Sequence, residues 1–130
     1  ACPTDALDEV DGLHAGRCVS TWSIEWRGGA SESDRKAQGG LLFGCDVCQA
    51  VCPWNHKALR KLMDEPPETY GVHEGYGELA LEDLMTMDDE AFRLWFRRTP
   101  LWRAHPEGLR RNARTVLANL EADSRPEEPS

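Results

Sequence analysis

The stretch that decides the fold is Phe43-Gly-Cys-Asp-Val-Cys-Gln-Ala-Val-Cys-Pro-Trp-Asn55. It places Cys45, Cys48 and Cys52 in the spacing C-x2-C-x3-C and follows the last cysteine directly with Pro53. A C-x2-C loop directs two thiolates towards the same centre, and a proline ends the loop because it cannot continue a helix from there. The spacing therefore predicts a metal-binding loop rather than three unrelated thiols.

The chain has five cysteines, an odd number that disulfides alone cannot close. C-x2-C-x3-C-P is the second half of the run that binds [4Fe–4S] clusters in bacterial ferredoxins, where the last cysteine of each run ligates the other cluster. A full run would have a cysteine where Leu42 stands, so a further ligand must come from elsewhere, and Cys18 is the nearest. Cys2-Pro3 has the form of the tail of another such run.

The crossover between runs accounts for all five cysteines. It predicts one [4Fe–4S] cluster held by Cys2, Cys18, Cys45 and Cys48, with Cys52 reaching a second cluster whose other ligands are missing. We expect the three cysteines of the first run to precede residue 1, so that the chain is an N-terminally truncated two-cluster unit. Two alternatives stay open: a four-cysteine zinc site, which usually has two C-x2-4-C pairs where this chain has one, and buried or incidental thiols.

Composition and charge limit the classes of protein to which the chain can belong. With 130 residues, 40% of them hydrophobic and 29% charged, the chain is typical of one small globular domain or part of a larger one. It has no apolar run long enough to span a bilayer, so we expect no membrane as a partner of this chain. The net charge of −8 argues against nucleic acid as a partner. The charge is unevenly distributed, however, because residues 1–90 carry −11, residues 91–120 carry +6 and residues 121–130 carry −3.

Periodicity predicts a mainly α fold. We expect a ferredoxin-like iron–sulfur cluster domain of the bis-[4Fe-4S] type in residues 1–60, a small helical, Arg-rich region in 61–120, and a disordered tail in 121–130. The first sixteen residues could supply a short hairpin, Ser31–Gln38 is ambiguous, and residues 64–78 are predicted as a loop. The predicted helices are Ser20–Trp26, His56–Met63, Leu79–Met85, a helix that Asp88 caps and whose Phe92, Trp95 and Phe96 face the core, and Pro106–Leu120.

Two further expectations concern the surroundings of the cluster. Gly44 lets the backbone approach closely beside Cys45. Aromatic side chains are expected to form the apolar shell that controls solvent access to the cluster: Trp22, Trp26, Phe43 and Trp54.

Several segments together resemble epoxyqueuosine reductases, and the likeness covers roughly residues 1–120. The most specific is the Phe43–Asn55 block, which goes well beyond a generic ferredoxin match. The others are Cys2–Leu7, Arg17–Ser20, Ile24-Glu25, Phe92 with Phe96, Arg98–Leu101 and Gly108–Asn112. Trp22 and Trp26 depart from the pattern, because a smaller aromatic or aliphatic residue is expected at each.

The resemblance implies a cobalamin-dependent oxidoreductase of the bacterial cytoplasm that reduces epoxyqueuosine to queuosine in tRNA. The two [4Fe–4S] clusters of such an enzyme would feed electrons from an external donor to cobalamin. The resemblance assigns Cys2, Cys18, Cys45 and Cys48 to one cluster and Cys52 to the other. The family's cobalamin-binding domain lies N-terminal to this region. No catalytic residue and no cobalamin ligand are therefore assigned here, and this chain alone is not expected to turn over. We expect a monomer.

The arginines of residues 91–120 are the candidates for tRNA contact, since phosphates are bound by such side chains. The alternative is a solvated helix face that balances an acidic neighbouring region. For the whole chain, the alternative functions are a free-standing ferredoxin-type electron carrier and a zinc-stabilised helical binding module. The tRNA candidates are Arg97, Arg98, Arg103, Arg110, Arg111 and Arg114.

Overall fold

The computed structural model describes residues 1–8, 10, 12–66 and 75–124, apart from the side chain of Tyr76. Its N-terminal half consists of short elements joined by turns. They are β1 (Leu7–Asp8), β2 (Gly12–Leu13), a 3-10 turn (Ala15–Arg17), a π-helical turn (Thr21–Glu25), α1 (Glu32–Gln38) and α2 (Val47–Ala50). The remaining elements are α3 (His56–Asp64), a 3-10 turn (Tyr76–Glu78), α4 (Leu81–Thr86), α5 (Asp89–Phe96), a 3-10 turn (Pro100–Ala104) and α6 (His105–Asp123).

The predicted hairpin near the N terminus is present as a two-stranded antiparallel ribbon. β1 pairs with β2 so that Leu7 lies opposite Leu13. The His14 ring nitrogen Nε2 lies 2.8 Å from a carboxylate oxygen of Asp8, which ties the end of the ribbon to its start. The ribbon positions the first residues of the chain against the segment that carries Cys18.

The hydrophobic core lies among the C-terminal helices. Asp88 caps α5 as predicted, because its carboxylate accepts a hydrogen bond of 2.8 Å from the Ala91 N–H. This start places Phe92 and Phe96 on the buried side, with ring centroids 5.2 Å apart, and confirms the predicted core face. The buried core cluster comprises Leu84, Phe92, Phe96, Leu109 and Ala113, with Trp95 packed against it.

Some element boundaries differ from those predicted. The ambiguous Ser31–Gln38 segment is helix α1, whose capping box pairs Ser31 with Asp34. α4 begins at Leu81, two residues later than predicted, because the Asp83 carboxylate accepts from the Ala80 N–H at 3.1 Å. α6 is longer at both ends than the predicted Pro106–Leu120. It therefore enters the segment predicted as a disordered tail, of which residues 125–130 lie outside the described residues.

The two predicted regions pack against each other, and their boundary at residue 60 falls inside α3. α6 makes the connection: the Asn119 side-chain amide donates to the carbonyls of Arg35 at 2.8 Å and Gly39 at 3.0 Å. Within the predicted 64–78 loop, residues 67–74 lie outside the described part and Tyr76–Glu78 form a 3-10 turn. None of the helices in the part of the chain that the structure describes is long and apolar enough to cross a membrane.

Candidate iron–sulfur site

Four of the five cysteines surround one cavity of about 410 Å³. Cys2 lies in the N-terminal segment, and Cys18 lies directly before the helical turn that leads into Thr21–Glu25. Cys45 and Cys48 lie at the start and in the middle of residues 45–52, the segment around α2 that we call the α2 loop. These are the four predicted to share a cluster. The lining between them is mainly apolar and comprises Pro3, Ala6, Leu7, Leu13, Val19 and Val47, with Thr4, Ser20, Asp46 and Gln49 as polar members.

The α2 loop explains why Cys52 does not line this cavity. The Ala50 N–H donates to the Asp46 carbonyl at 2.8 Å, which closes a single helical turn with Cys48 inside it. The chain then leaves the turn, and the Asn55 N–H donates to the Cys52 carbonyl at 3.0 Å as α3 begins. Cys52 lies after this turn and is absent from the cavity lining, and its role at a second cluster stays a prediction.

The thiol of Cys2 lies among hydrogen-bond donors. The Ala6 N–H donates to its Sγ at 3.3 Å, and the Thr4 hydroxyl oxygen lies 3.5 Å from it. The Thr4 hydroxyl and neighbouring backbone N–H groups lower the pKa of Cys2 to about 7, although partial burial opposes this. Because the thiolate is the form that binds metal, these contacts favour Cys2 as a ligand.

Two serines fix the backbone next to Cys45. The Ser20 hydroxyl oxygen accepts from the Cys45 N–H at 3.0 Å. The Ser23 hydroxyl accepts from the Gly44 N–H at 2.9 Å and donates to the Val19 carbonyl at 2.8 Å. The helical turn after Cys18 is therefore bonded directly to the loop that presents Cys45. No spacing rule pointed to these serines, because their contacts with Gly44 and Cys45 join positions at least 21 residues apart.

The donor set and the cavity fit an iron–sulfur cluster. Four thiols surround an apolar space, and thiolates are the protein ligands of such clusters. A single zinc ion would need its ligands gathered at about 2.3 Å from one point. Among residues 1–8, 10, 12–66 and 75–124, no three Cys, His, Asp or Glu side chains lie close enough to hold one ion. The four cysteines instead line the wall of a cavity of about 410 Å³.

The predicted aromatic shell is wrong, because none of its four members lines the cavity. Trp22 is buried against the protein interior, where its indole N–H donates to the Gly16 carbonyl at 2.6 Å. Trp54 is 92% exposed and Trp26 is about half exposed. Aliphatic side chains from the ribbon and from both cysteine segments form the lining instead. A sequence gives no direct signal for this, because the two strands are only two residues long.

The candidate arginines divide into two groups. Arg111 donates to the carbonyls of Trp22, Trp26 and Gly28 at 2.7 to 3.1 Å, and its burial, with Arg27 nearby, lowers its pKa. Arg110 donates to the Met87 carbonyl at 2.6 Å and to Asp89 at 2.9 Å, and Arg103 pairs with Glu25. The other three, Arg97, Arg98 and Arg114, have exposed side chains; Arg103 is exposed as well and differs from them by its pair with Glu25.

Comparison with known proteins supports an iron–sulfur domain in this part of the chain. The family profile of a 4Fe-4S double cluster binding domain matches residues 1–55. The epoxyqueuosine reductase of Gloeobacter violaceus is 34% identical over 118 residues, which cover 90% of this chain and 37% of that protein. That of Synechococcus sp. is 37% identical over 118 residues, covering 87% and 35%.

Solved structures give the same result. The epoxyqueuosine reductase of Bacillus subtilis superposes with a TM-score of 0.75 at 28% identity, over 95% of this chain and 32% of that one. An epoxyqueuosine reductase solved with an epoxyqueuosine-modified tRNA-Tyr stem loop has a TM-score of 0.70 at 30% identity, over 93% and 31%. The chain spans about a third of the length of the relatives it matches.

Proposed function

We propose that this chain, which is related to epoxyqueuosine reductases over about nine-tenths of its length, is the iron–sulfur portion that relays electrons within such an enzyme. The observation that carries this proposal is a mainly apolar cavity that four cysteines line. Both the family profile and the motif spacing support it independently of the cavity.

The proposed ligands follow from the placement of each thiol. Cys2, Cys18, Cys45 and Cys48 hold one [4Fe–4S] cluster, and Cys52 ligates a second whose other ligands are not in this chain. Bound clusters would supply one-electron transfer from an external donor to cobalamin. The protein's part is to keep the thiolates apart at fixed positions, to surround them with aliphatic side chains, and to direct N–H groups at sulfur, as Ala6 does to Cys2.

The activity of the whole enzyme is proposed from the relatives. It is the reduction of epoxyqueuosine to queuosine in tRNA, in the cytoplasm, by a monomer whose cobalamin domain this chain does not contain. This chain alone then turns over no substrate. We also propose the division into a cluster domain, residues 1–60, and a helical Arg-rich region, residues 61–120. The motif and all five cysteines fall in the first of these.

We propose that tRNA phosphates contact the exposed arginines Arg97, Arg98 and Arg114, and that Arg103, Arg110 and Arg111 serve the fold. Exposed guanidinium groups are free to meet phosphate oxygens, whereas those of the second group already donate to protein carbonyls or carboxylates. The relative solved with an epoxyqueuosine-modified tRNA stem loop supports tRNA as a partner of the whole enzyme.

The test of the cluster is anaerobic reconstitution of the 130-residue chain with iron and sulfide. The expected product is brown, with broad visible absorbance that dithionite bleaches, and with about four iron atoms per chain. A colourless protein that takes up one zinc ion and no iron would reject the proposal in favour of a zinc-stabilised module.

Two serine substitutions test the assignment of ligands. Cys48→Ser removes a ligand of the proposed cluster and should abolish the absorbance. Cys52→Ser is the matched control from the same loop, and it should leave the absorbance and the iron content nearly unchanged because its own cluster is incomplete. Equal losses in the two variants would show that Cys52 belongs to the same cluster.

A further inference from the structure

We propose that Asn112 is a positioning residue for the cluster, because it joins the two chain segments that carry Cys18 and Cys45. The inference rests on the proposed function, since it assumes that these thiols ligate one cluster. Asn112 is not itself a ligand: it lies in the middle of α6 and is absent from the cavity lining. Its role is exerted entirely through the backbone to which it is bonded.

The side-chain amide of Asn112 bridges the two segments directly. It is only 1% exposed, and its Nδ2 donates to the Ser23 carbonyl at 2.7 Å and to the Leu42 carbonyl at 3.0 Å. Ser23 follows Cys18 by five residues, and Leu42 precedes Cys45 by three. An amide has two N–H donors, so both are used and each holds one segment.

The same two segments are joined again beside the bridge. Ser23, which is 0% exposed, accepts from the Gly44 N–H, and Ser20 accepts from the Cys45 N–H. These bonds fix the orientation of the Cys45 loop, while Asn112 fixes how far that loop lies from the turn after Cys18. Loss of the bridge would remove the Asn112 donor from the buried Ser23 carbonyl and from the partly buried Leu42 carbonyl, and the segments would have to shift to satisfy them.

Arg111 determines which way the Asn112 amide faces. Its guanidinium donates to Asn112 Oδ1 from Nε at 3.3 Å and from Nη2 at 3.1 Å. The reversed amide would direct its NH2 group at the guanidinium and its oxygen at two carbonyls, which are acceptors only. The NH2 group is therefore held towards Ser23 and Leu42, and the bridge is preformed.

The consequence is an influence of α6 on the properties of a bound cluster. The reduction potential and the electronic structure of iron–sulfur clusters depend on the hydrogen bonds and the surroundings of the ligating sulfurs. A change in the separation of the Cys18 and Cys45 segments alters these directly. A residue that served stability alone would not alter them when replaced.

Asn119 provides a matched control on the same helix. Its Nδ2 also donates to two backbone carbonyls, those of Arg35 and Gly39, at 2.8 and 3.0 Å. It therefore makes the same type of bridge at nearly the same distances. The segment that it fixes, the C-terminal end of α1, carries no cysteine.

The experiment compares Asn112→Ala with Asn119→Ala in the reconstituted 130-residue chain. The readouts are the electron paramagnetic resonance spectrum of the dithionite-reduced protein, its midpoint potential, and the rate of iron loss to a chelator. For Asn112→Ala we expect a changed spectrum, a shifted potential and iron loss faster by about tenfold. For Asn119→Ala we expect a lowered thermal midpoint with the spectrum, the potential and the rate of the wild type.

Asn112→Asp keeps the inference testable if Asn112→Ala does not fold. It keeps the size of the side chain and an oxygen that accepts from Arg111, removes the NH2 group that donates to the Ser23 and Leu42 carbonyls, and should shift the spectrum in the same way. Wild-type spectra in both variants would overturn this inference alone. A wild-type chain that takes up no cluster would overturn the proposed function and this inference with it.

Discussion

At the scale of single residues, Gly44 shows how the cysteine loop depends on backbone conformation. Its φ of +74° lies in the left-handed region, directly before Cys45. A Cβ at this position would meet only Ile24 Cδ1, at an ordinary 3.8 Å, so the space is available and the conformation is what excludes a side chain. The predicted importance of Gly44 thus has a different cause from the close approach that the sequence suggested.

Gly44→Ala is therefore expected to destabilise the chain without a clash. The cost of holding alanine in this region is about 1–2 kcal/mol, which should lower the thermal midpoint by several degrees. Circular dichroism melting of the reconstituted chain measures it. Gly40→Ala is the control, because its Cβ would meet nothing within 4 Å and its φ is not positive. Equal midpoints for the two variants would show that the loop tolerates another conformation.

At the scale of elements, α6 makes three kinds of contact along its length. Leu109, Ala113 and Val116 face the core. Asn112 and Asn119 bond to the N-terminal half through backbone carbonyls. Arg114 faces solvent. Adjacent positions on one helix therefore have unrelated roles. The number of arginines in residues 91–120 could not show which of them contact the protein and which face solvent.

Arg114→Ala and Arg111→Ala should accordingly affect different properties, tRNA binding in the first case and stability in the second. Arg114→Ala is expected to weaken binding of an epoxyqueuosine-modified tRNA stem loop at low salt and to reduce the salt dependence by about one ion, with an unchanged thermal midpoint. Arg111→Ala removes the donors of three carbonyls and should lower the midpoint. Fluorescence anisotropy across a salt series measures binding. Unaltered binding by Arg97→Ala, Arg98→Ala and Arg114→Ala would favour a solvated face and an electron carrier without a tRNA role.

The start of α5 allows a second prediction at this scale. Asp88→Ala removes the acceptor of the Ala91 N–H and should cost about 1 kcal/mol of stability. Asp88→Asn, which keeps a capping oxygen, should retain most of it. Urea denaturation followed by circular dichroism compares the three proteins. Equal losses in both variants would mean that the charge matters and the cap does not.

At the scale of the whole molecule, the cavity and the core are built from different parts of the chain. The cavity lining is drawn from residues 2–20 and 45–49, whereas the buried core cluster lies within residues 84–113. α6 links them through polar contacts. A bound cluster would therefore add ligand bonds to an N-terminal half whose buried hydrophobic residues, in the part that the structure describes, are Ala6, Val19 and Trp22.

Removal of iron should consequently loosen one half of the molecule. Hydrogen exchange of the reconstituted and the iron-free chain should differ most in residues 1–20 and 44–52, with little change in α4, α5 and α6. Mass spectrometry of peptides from both forms measures this. Uniform deprotection along the chain would instead show that the helical core depends on the cluster as well.

The sequence by itself predicted an iron–sulfur domain, which the family profile supports, because ligand type and spacing are local properties. The C-x2-C-x3-C-P run, the isolated Cys2 and Cys18, the Asp88 cap and the Phe92 and Phe96 core face were all legible from neighbouring residues. Only the tertiary structure decided what surrounds the cysteines and what the arginines of α6 do. Asn112 reaches Ser23 across 89 positions and Arg111 reaches Gly28 across 83, and contacts between segments so far apart leave no periodic pattern in a single sequence.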